Sequence, residues 1–335
     1  MKVVFFGTPH FAVPTLQILL ATPEVDVLAV VTQPDRRRSR GSHLDPSPVK
    51  SLALAHNLPV WQPQRVKKDA DTLAFLRQSQ ADLFVVVAYG QILSQEILDM
   101  PTLGCVNVHA SLLPQYRGAA PIQWSLYNGD AETGVTTMQM EAGLDTGPML
   151  LKASVPIELL DNAEHLAHTL STVGAELLLK TVVKLGRQQI QPVPQNDADS
   201  TYAPLIQKED YVLDWSRSAI ALHNQIRGFF PNCMAQFRGQ DLKIIATAPV
   251  GDRYWEHLPP SFTVLEHNWP ALIPGEGKPG EIVSIAKHIG PIVQTGDGFL
   301  LLQQVQVSGK RAQSGWDFAN GMHLLKGEML GNGNV

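Results

Sequence analysis

The chain has 335 residues, of which 44% are hydrophobic and 17% charged, so it can bury a substantial core and is not disordered by default. Domains usually contain roughly 100–200 residues, so this length predicts two of them. The 26 Lys and Arg residues against 31 Asp and Glu give a net charge of −5, which argues against a general polyanion binder but allows a local basic patch. Two cysteines are too few for a zinc knuckle or a disulfide framework, as in a reduced cytosolic compartment.

The amino-terminal sequence contains no long apolar region followed by a small-residue cleavage site, and no Arg- and Ser-rich transit segment. No apolar run approaches the ~18 residues that are needed to span a bilayer. We therefore expect a cytoplasmic protein that has no membrane partner.

The first half of the chain alternates short apolar runs with amphipathic segments. The pattern predicts strands at Lys2–Phe6, Val25–Val31, Leu83–Ala88, Cys105–His109 and Val135–Met140. It predicts helices at Ala12–Leu20, Pro48–Ala55 and Ala70–Arg77. Strands that are buried on both faces and separated by helices are typical of an α/β fold with a Rossmann-like, doubly wound, mostly parallel sheet.

The second half has a different pattern. Asp161–Leu185 is predicted to form one long helix, and Leu213–Arg227 a second one. Between them, residues 188–203 are rich in Gln, Pro, Asn and Asp, which indicates an extended linker. Short apolar runs then predict strands at Met234–Arg238, Leu242–Ala246, Gly280–Lys287, Pro291–Thr295 and Phe299–Val307.

These strands favour a smaller carboxy-terminal β-barrel domain that is OB-like. The Pro- and Gly-rich residues 249–280 are interpreted as a long loop or an insertion. The predicted organisation is a first domain at residues 1–189, a linker at 190–207 and a second domain at 208–330.

Asn107 and His109 are the first candidates for chemistry. The two-residue period of a strand places both side chains on one face, at the carboxyl end where open α/β sheets bind ligands. An amide can donate to an oxygen that gains negative charge, and an imidazole can move a proton. The alternative is that neighbouring turns satisfy both side chains.

Asp145 is the second candidate, because it follows the last predicted strand of the first domain in a loop with two glycines. Its carboxylate could face the imidazole, orienting it and favouring its protonated form. The alternative is that Asp145 makes only a local Asx turn.

Other motifs give weaker signals. His165 and His168 lie three residues apart on the long predicted helix, but no third ligand follows, so no metal site is expected. Ser47 before Pro48 is explained as a helix cap, although the spacing to Lys50 resembles a catalytic Ser-x-x-Lys. The dinucleotide fingerprint is absent after the first strand.

Several strings along both halves together resemble the folate-dependent formyltransferases. The strings are Phe6–Pro9, Thr32–Asp35, Pro46–Lys50, Asn107–Ile122, Gly143–Pro148, Thr201–Pro204, Lys208–Asp210 and Asp214–Trp215. Asn-x-His followed by Ser-Leu-Leu-Pro indicates the family as a whole. The extension Arg117–Ile122 and the strings of the second half are similar to members that formylate charged initiator tRNA.

The resemblance implies that Asn107, His109 and Asp145 are the catalytic residues. It implies a folate-binding segment at Ser111, Leu112, Leu113 and Pro114, and a loop around the pterin ring at Val87, Tyr89, Gly90 and Ile92. The implied reaction is transfer of the formyl group of 10-formyltetrahydrofolate to the α-amine of methionyl initiator tRNA, for translation initiation in a bacterial cytoplasm. Asn107 and protonated His109 would stabilise the oxyanion, with Asp145 orienting His109, and neither a metal nor a covalent nucleophile is needed.

Arg36, Arg37, Arg38 and Arg40 follow the second predicted strand, between Pro34 and Pro46. Arginine suits contacts to phosphates and base edges, and the resemblance implies that this segment reaches the acceptor end of the tRNA. The alternative is a solvated basic loop. Further candidates for tRNA contact are dispersed through the second half, although an ordinary surface charge is the favoured interpretation of each: Lys208, Arg227, Lys243, Lys287, Lys310 and Arg311.

Two other functions stay open on the sequence. The first is formyl transfer to a small amine, such as a nucleotide or an amino sugar, by the same first domain. The second is a non-catalytic protein that binds tRNA or folate. We expect a monomer without an obligate protein partner.

Overall fold

The structure is a computed structural model, and it describes residues 1–37, 44–273, 275 and 277–333. The chain forms two compact units that alternate along the sequence. The first unit contains Met1–Pro121, Glu132–Pro156 and Ala167–Ala203. The second contains Ile122–Ala131, Ile157–Leu166 and the chain from Pro204 onward. The predicted domain limits at residues 189/190 and 207/208 stay a prediction.

The first unit is an α/β structure. Its strands are β1 (Lys2–Gly7), β2 (Asp26–Val31), β3 (Arg36–Arg37), β4 (Leu44–Asp45), β5 (Val60–Trp61), β6 (Leu83–Val87), β7 (Cys105–His109), β8 (Arg117–Gly118), β9 (Glu132–Gln139), β10 (Met149–Pro156) and β11 (Tyr202–Ala203). Its helices are α1 (Val13–Leu20), α2 (Pro48–Ala55), α3 (Ala70–Gln78) and α4 (Gln95–Leu98). Two more helices contain residues of both units, namely α5 (Pro121–Asn128) and α6 (Ala163–Gly186).

The main sheet of this unit is mixed and mostly parallel, with the order β10-β9-β7-β6-β1-β2-β5 among the described residues. Strands β5, β2, β1, β6 and β7 are parallel. Strand β9 is antiparallel to β7, and the edge strand β10 is antiparallel to β9, so β10 again runs in the direction of the parallel strands. After β1, the chain adds β2 and β5 on one side of it, and then crosses over to place β6 on the opposite side of β1. Open α/β sheets bind ligands at such a switch point, outside the carboxyl ends of the strands.

Apolar runs explain why β1 and β6 lie at the centre of the sheet. Val3–Phe6 and Leu83–Val87 are buried throughout, as strands covered on both faces must be. The predicted cap of α2 is confirmed, since the Ser47 hydroxyl accepts a hydrogen bond from the Lys50 amide at 3.1 Å. The long predicted helix is also confirmed as α6, which Asn162 caps through the amide of His165 at 2.9 Å.

The second unit is built on an antiparallel sheet. Its strands are β12 (Met234–Phe237), β13 (Gln240–Val250), β14 (Ile282–Ala286), β15 (Gly290–Gln294), β16 (Phe299–Val307), β17 (Gln313–Ser314) and β18 (Leu330–Asn332), and its helices are α7 (Ala219–Gly228), α8 (Thr263–His267), α9 (Trp269–Leu272) and α10 (Gly315–Gly321). The strands of the sheet lie in the order β14-β15-β16-β13-β12-β18. The chain leading into β18 also hydrogen-bonds to the chain at the start of β14, so the two ends of this order meet. The Leu330 amide donates to Gly280 O and the Ile282 amide to Glu328 O, both at 2.8 Å. The sheet is therefore a partly closed barrel, which confirms the predicted fold class.

Two predictions in the second unit are wrong. The helix predicted at Leu213–Arg227 begins only at Ala219, where the Ser218 hydroxyl caps it, because Leu213 and Trp215 are buried in the core as part of an irregular segment. The loop interpretation of residues 249–280 is also wrong, since they contain α8 and α9 and bury Phe262 and Leu265, while their interpretation as an insertion stays a prediction.

None of the helices in the described part of the chain combines the length and the apolar character needed to cross a bilayer.

Candidate active site

Asn107 and His109 lie at the carboxyl end of β7, beside the switch point of the sheet. Asn107 pairs with Val86 of β6 on one side and with Met138 of β9 on the other. The strand runs to His109, so both side chains occupy the same face, as the two-residue period predicts.

The His109 ring is buried, with 6% of its surface exposed, and both nitrogens have a neighbour. Nε2 lies 2.9 Å from the carbonyl oxygen of Tyr116. Since a carbonyl oxygen can only accept, Nε2 carries a proton in every state of the ring. Nδ1 lies 3.7 Å from Asp145 Oδ2, so this second nitrogen faces the carboxylate.

Asp145 is held in a left-handed backbone conformation, with φ at +54°. Its Oδ2 accepts a hydrogen bond of 2.9 Å from the amide of Gly118, 27 residues away in the sequence. The carboxylate is therefore directed by a long-range contact rather than by a local Asx turn. It is only 17% exposed, which keeps water from fully screening it from His109.

Asn107 differs from its neighbour because its side chain is only half-buried. Among the described residues, none forms a hydrogen bond with its amide group. The alternative was that hydrogen bonds from neighbouring turns occupy both side chains. It holds for Nε2 of His109, but not for the Asn107 amide. The Asn107 amide remains available to donate to an oxygen outside the protein.

The segment after β7 is held rigidly against β9. The Ser111 hydroxyl is buried and donates to Gln115 O at 2.6 Å, so it stabilises the turn itself. Thr136 donates to Ser111 O at 2.7 Å and accepts from the Leu113 amide at 3.1 Å. Lys152 donates to Leu113 O, and burial lowers the pKa of its ammonium group. The Leu113 side chain is buried, whereas Leu112 and Pro114 are half-buried.

The loop after β6 combines buried side chains with a free backbone. Val87 and Tyr89 are buried, and Tyr89 O accepts from the Thr8 hydroxyl at 3.1 Å. Gly90 adopts a φ of +85°, and Ile92 is 81% exposed. Within the described residues, the backbone N–H and C=O groups of residues 90–92 make no hydrogen bonds. The loop therefore offers an apolar surface next to unpaired polar groups.

Comparison with known proteins identifies the family. Residues 1–182 match the family model described as "Formyl transferase", and residues 205–323 match "Formyl transferase, C-terminal domain". The chain is 64% identical over 334 residues to a methionyl-tRNA formyltransferase of Trichormus variabilis, covering 100% of both chains. The chain belongs to the methionyl-tRNA formyltransferases. A second member, from Trichodesmium erythraeum, is 63% identical over 98% of both chains.

Methionyl-tRNA formyltransferases attach a formyl group to methionyl-tRNA for translation initiation, and this chain has that enzymatic function and belongs to a folate-dependent family. The fold recurs in an N-formyltransferase of Helicobacter canadensis, solved in complex with folinic acid and dTDP-3-aminofucose. That structure has a TM-score of 0.62 and 18% identity, and the match covers 90% of this chain and 98% of the other. At this identity the likeness shows the fold alone, so the acceptor of that protein does not carry over.

The arginine-rich segment of this methionyl-tRNA formyltransferase is only partly described. Arg36 and Arg37 form β3, in which Arg36 pairs with Asp45 of β4. Arg38 and Arg40 lie outside the described residues. Just before β3, Asp35 accepts hydrogen bonds from the Lys50 ammonium at 2.5 Å and from the Gln62 amide at 2.8 Å. Partial burial opposes ionisation of Asp35, but these donors outweigh it, and the pKa of the carboxyl group is lowered.

Two candidates named from the sequence lie outside the main site. Arg227, named as a candidate for tRNA contact or a surface charge, is instead buried and donates to Asn224 Oδ1 at 2.9 Å and to Glu158 O at 2.8 Å, so neither interpretation holds. The His165 ring lies 2.6 Å from Asp161 Oδ1. Within the described residues, no group of three His, Cys, Asp or Glu side chains is arranged to hold a metal ion.

Sequence reasoning missed three residues that shape the site: Thr136, Gly118 and Gln195. Gln195 donates to the carbonyl oxygens of Asp145 and Gly147, both at 2.8 Å. It lies in the polar segment that is predicted to be a linker, and nothing in its local pattern indicates a contact with the site. A role for Gly118 in the site could have been predicted, because Gly118 lies within the string Asn107–Ile122 that resembles the family.

Proposed function

We propose that this methionyl-tRNA formyltransferase takes its formyl group from 10-formyltetrahydrofolate and transfers it to the α-amine of methionyl initiator tRNA at Asn107, His109 and Asp145. One observation carries the proposal. An Asn107 amide to which no described residue forms a hydrogen bond lies at the ligand-binding edge of the sheet, beside an imidazole that is backed by a carboxylate, with Nδ1 and Oδ2 3.7 Å apart.

Asn107 is assigned to the formyl oxygen. When the amine attacks the formyl carbon, that oxygen becomes negatively charged, and a preorganised N–H donor stabilises it. Removal of one such donor typically costs roughly 100- to 1000-fold in kcat. The absence of a competing hydrogen bond to the Asn107 amide from the described residues supports this role.

His109 and Asp145 are assigned to the proton. The attacking amine must lose a proton, and the leaving nitrogen of the donor must gain one. Nδ1 of His109 is the nitrogen that can carry this proton, because Nε2 is occupied at Tyr116 O. Asp145 stabilises the ring when it is positively charged and keeps it in place. No group of the protein needs to form a covalent bond to the formyl carbon.

The donor site is assigned to the loop at residues 87–92 and to Ser111–Pro114. The exposed face of Ile92 fits a flat ring. The backbone groups of residues 90–92, which have no hydrogen-bond partner in the described part of the chain, can bind the polar edges of a pterin. The buried side chains of Val87, Tyr89, Ser111 and Leu113 would shape this site rather than touch the ligand. The folinic acid bound in the Helicobacter canadensis structure supports a folate as the donor.

The experiment is a formylation assay with methionyl initiator tRNA and 10-formyltetrahydrofolate, run beside free methionine and amino-sugar nucleotides. Asn107→Ala and His109→Ala should each lower kcat on the order of 100-fold or more while tRNA binding persists. His56→Ala is the matched control, since His56 is exposed at the end of α2. Equal formylation of free amines would overturn the choice of acceptor, and unchanged turnover in the two site variants would overturn their roles.

The arginine-rich segment is assigned to the acceptor end of the tRNA, and the body of the tRNA to a second domain at residues 208–330. The network of Asp35, Lys50 and Gln62 supports this, because it anchors the start of the segment beside the carboxyl edge of the sheet: Gln62 also donates to Gln33 O at 2.9 Å.

Alanine variants of Arg36, Arg37, Arg38 and Arg40 test the assignment. Each arginine that binds a phosphate should raise the KM for tRNA and reduce the slope of log KM against log salt by about one. Lys67→Ala, at an exposed position of the same unit, is the control. Salt slopes that match the wild type in all four variants would contradict the assignment.

A further inference from the structure

Gln195 connects the loop of Asp145 to the rest of the first unit. Its Nε2 donates one hydrogen bond to Asp145 O and one to Gly147 O, each at 2.8 Å. Both carbonyls belong to the turn that carries the Asp145 carboxylate. One amide group thus holds the backbone on both sides of Thr146.

Arg117 fixes the orientation of this amide. Its Nε donates to Gln195 Oε1 at 3.0 Å, and a guanidinium group has no acceptor, so Oε1 must face Arg117 and the NH₂ group must face the two carbonyls. Arg117 is itself buried, with 2% exposed, and donates to Asp197 at 2.8 Å. The amide is consequently held from both ends.

Strand β8, which consists of Arg117 and Gly118, fixes both the backbone and the side chain of Asp145. Arg117 acts on the backbone through Gln195, and the amide of the next residue, Gly118, donates to Asp145 Oδ2 at 2.9 Å. Asp145 needs such support because its φ of +54° lies in the left-handed region, which residues with a side chain adopt less readily than glycine. Strained conformations of this kind persist when the surrounding contacts overdetermine them.

We infer that Gln195, oriented by Arg117, is a positioning residue that keeps the Asp145 carboxylate opposite His109 Nδ1. This inference rests on the proposed function of the site. Gln195 does not touch the reacting atoms and acts only through Asp145. It contributes to kcat and not to the binding of either substrate.

Gln195→Glu is the decisive variant. It preserves the shape of the side chain and its acceptor for Arg117, but it directs a carboxylate oxygen at the two carbonyl oxygens of the loop. If Gln195 served only to pair with Arg117 and fill space, this variant would be as active as the wild type. We expect instead a loss of about 10-fold or more in kcat with both KM values unchanged, and a similar loss for Gln195→Met. Gln191→Glu, at an exposed position of the same segment, is the control.

A double-mutant cycle with Asp145→Asn separates positioning from general stability. If Gln195 acts through Asp145, adding Gln195→Glu to Asp145→Asn should change kcat by less than about twofold. Losses that multiply, or a Gln195→Glu enzyme with wild-type kcat, would overturn the inference. A wild-type enzyme that forms no formylmethionyl-tRNA, or an Asp145→Asn variant with full activity, would instead refute the proposed function.

Discussion

The imidazole Nε2 of His109 lies 2.9 Å from the carbonyl oxygen of Tyr116, so one nitrogen of the ring is occupied by a hydrogen bond to the backbone. The other nitrogen, Nδ1, has Asp145 as its ionisable neighbour at 3.7 Å. The role proposed for this pair therefore requires the negative charge of Asp145, and a neutral side chain of the same shape would not serve.

Asp145→Asn tests this dependence. Asparagine can retain the hydrogen bond from Gly118, but it removes the negative charge that stabilises the imidazolium. We expect kcat to fall on the order of 100-fold, with little change in the KM for tRNA. Asp71→Asn, at an exposed position in α3, is the control for steady-state measurements. Retention of wild-type kcat would show that the charge of Asp145 is not used.

Gly147→Ala should disable the same loop by a steric route. A Cβ at this position would lie 1.9 Å from Gln139 O, a backbone atom that cannot rotate away. We expect the loop to shift, Gln195 to lose its partner at Gly147 O, and kcat to fall by about 10-fold or more. Steady-state kinetics and thermal unfolding would be measured together. Gly321→Ala is the control, because a Cβ there meets nothing within 4 Å. A Gly147→Ala enzyme with normal kcat would contradict this view of the loop.

Ile92→Ser tests the apolar surface of the proposed folate site. Full burial of an Ile side chain contributes roughly 1.5–3 kcal/mol, and this side chain is 81% exposed before a ligand binds. We expect the KM for the folate donor to rise about 10-fold while the KM for tRNA is unchanged. Leu205→Ser is the control, since Leu205 is 69% exposed in the second unit. An unaltered KM for the donor would place the pterin elsewhere.

His223 predicts how acid affects the stability of the second unit. Burial, together with the nearby charge of Arg227, lowers the pKa of this histidine from 6.5 to about 4, although Leu159 O accepts from it at 2.7 Å. Below pH 6.5 the unfolded chain binds the proton and the folded unit does not, so stability falls between pH 6.5 and about 4. The shift corresponds to about 3 kcal/mol, and above pH 6.5 the titration of His223 no longer changes the stability.

Urea unfolding at several pH values would measure this loss. His223→Gln should be less stable than the wild type at neutral pH, because it disturbs the bonds to Thr247 and Leu159, but its stability should decline less between pH 6.5 and 4. His267→Gln, at an exposed position, should retain the wild-type pH dependence. If the free energy of unfolding depended on pH in the same way in the wild type and in His223→Gln, then His223 would not be the cause of the acid-dependent loss of stability.

The elements that the sequence predicted well are those whose hydrophobic pattern is local. Cys105–His109, Pro48–Ala55 and Phe299–Val307 were predicted with the limits that the structure shows, because an apolar run or a capped helix defines each of them. The strand β10 escaped prediction, since its edge position leaves it half-exposed and polar residues interrupt its pattern. Strand β18 contains Gly and Asn and is defined by its partner β12 rather than by its own residues.

The same distinction applies to the site. The period of one strand is enough to place Asn107 and His109 together, so the sequence could predict their pairing. Gln195 and Thr136 reach the site across 50 and 25 residues of chain, and such contacts leave no trace in a local pattern. Asp145 was predicted near His109, but the direction of its carboxylate depends on Gly118, which only the folded chain brings close.

The alternation of the two units along the sequence has a consequence for synthesis on the ribosome. Residues 122–131 belong to the second unit, where Tyr127 stacks on Phe229 with ring centroids 5.2 Å apart and Trp124 donates to Pro204 O. Phe229 is translated roughly 100 residues later, which at about 5–20 residues per second means a delay of about 5–20 s. During that time the residues that contact both aromatic side chains in the folded unit have not yet been synthesised. A nascent or truncated chain that ends at residue 203 would therefore expose them, which makes it a natural target for chaperones.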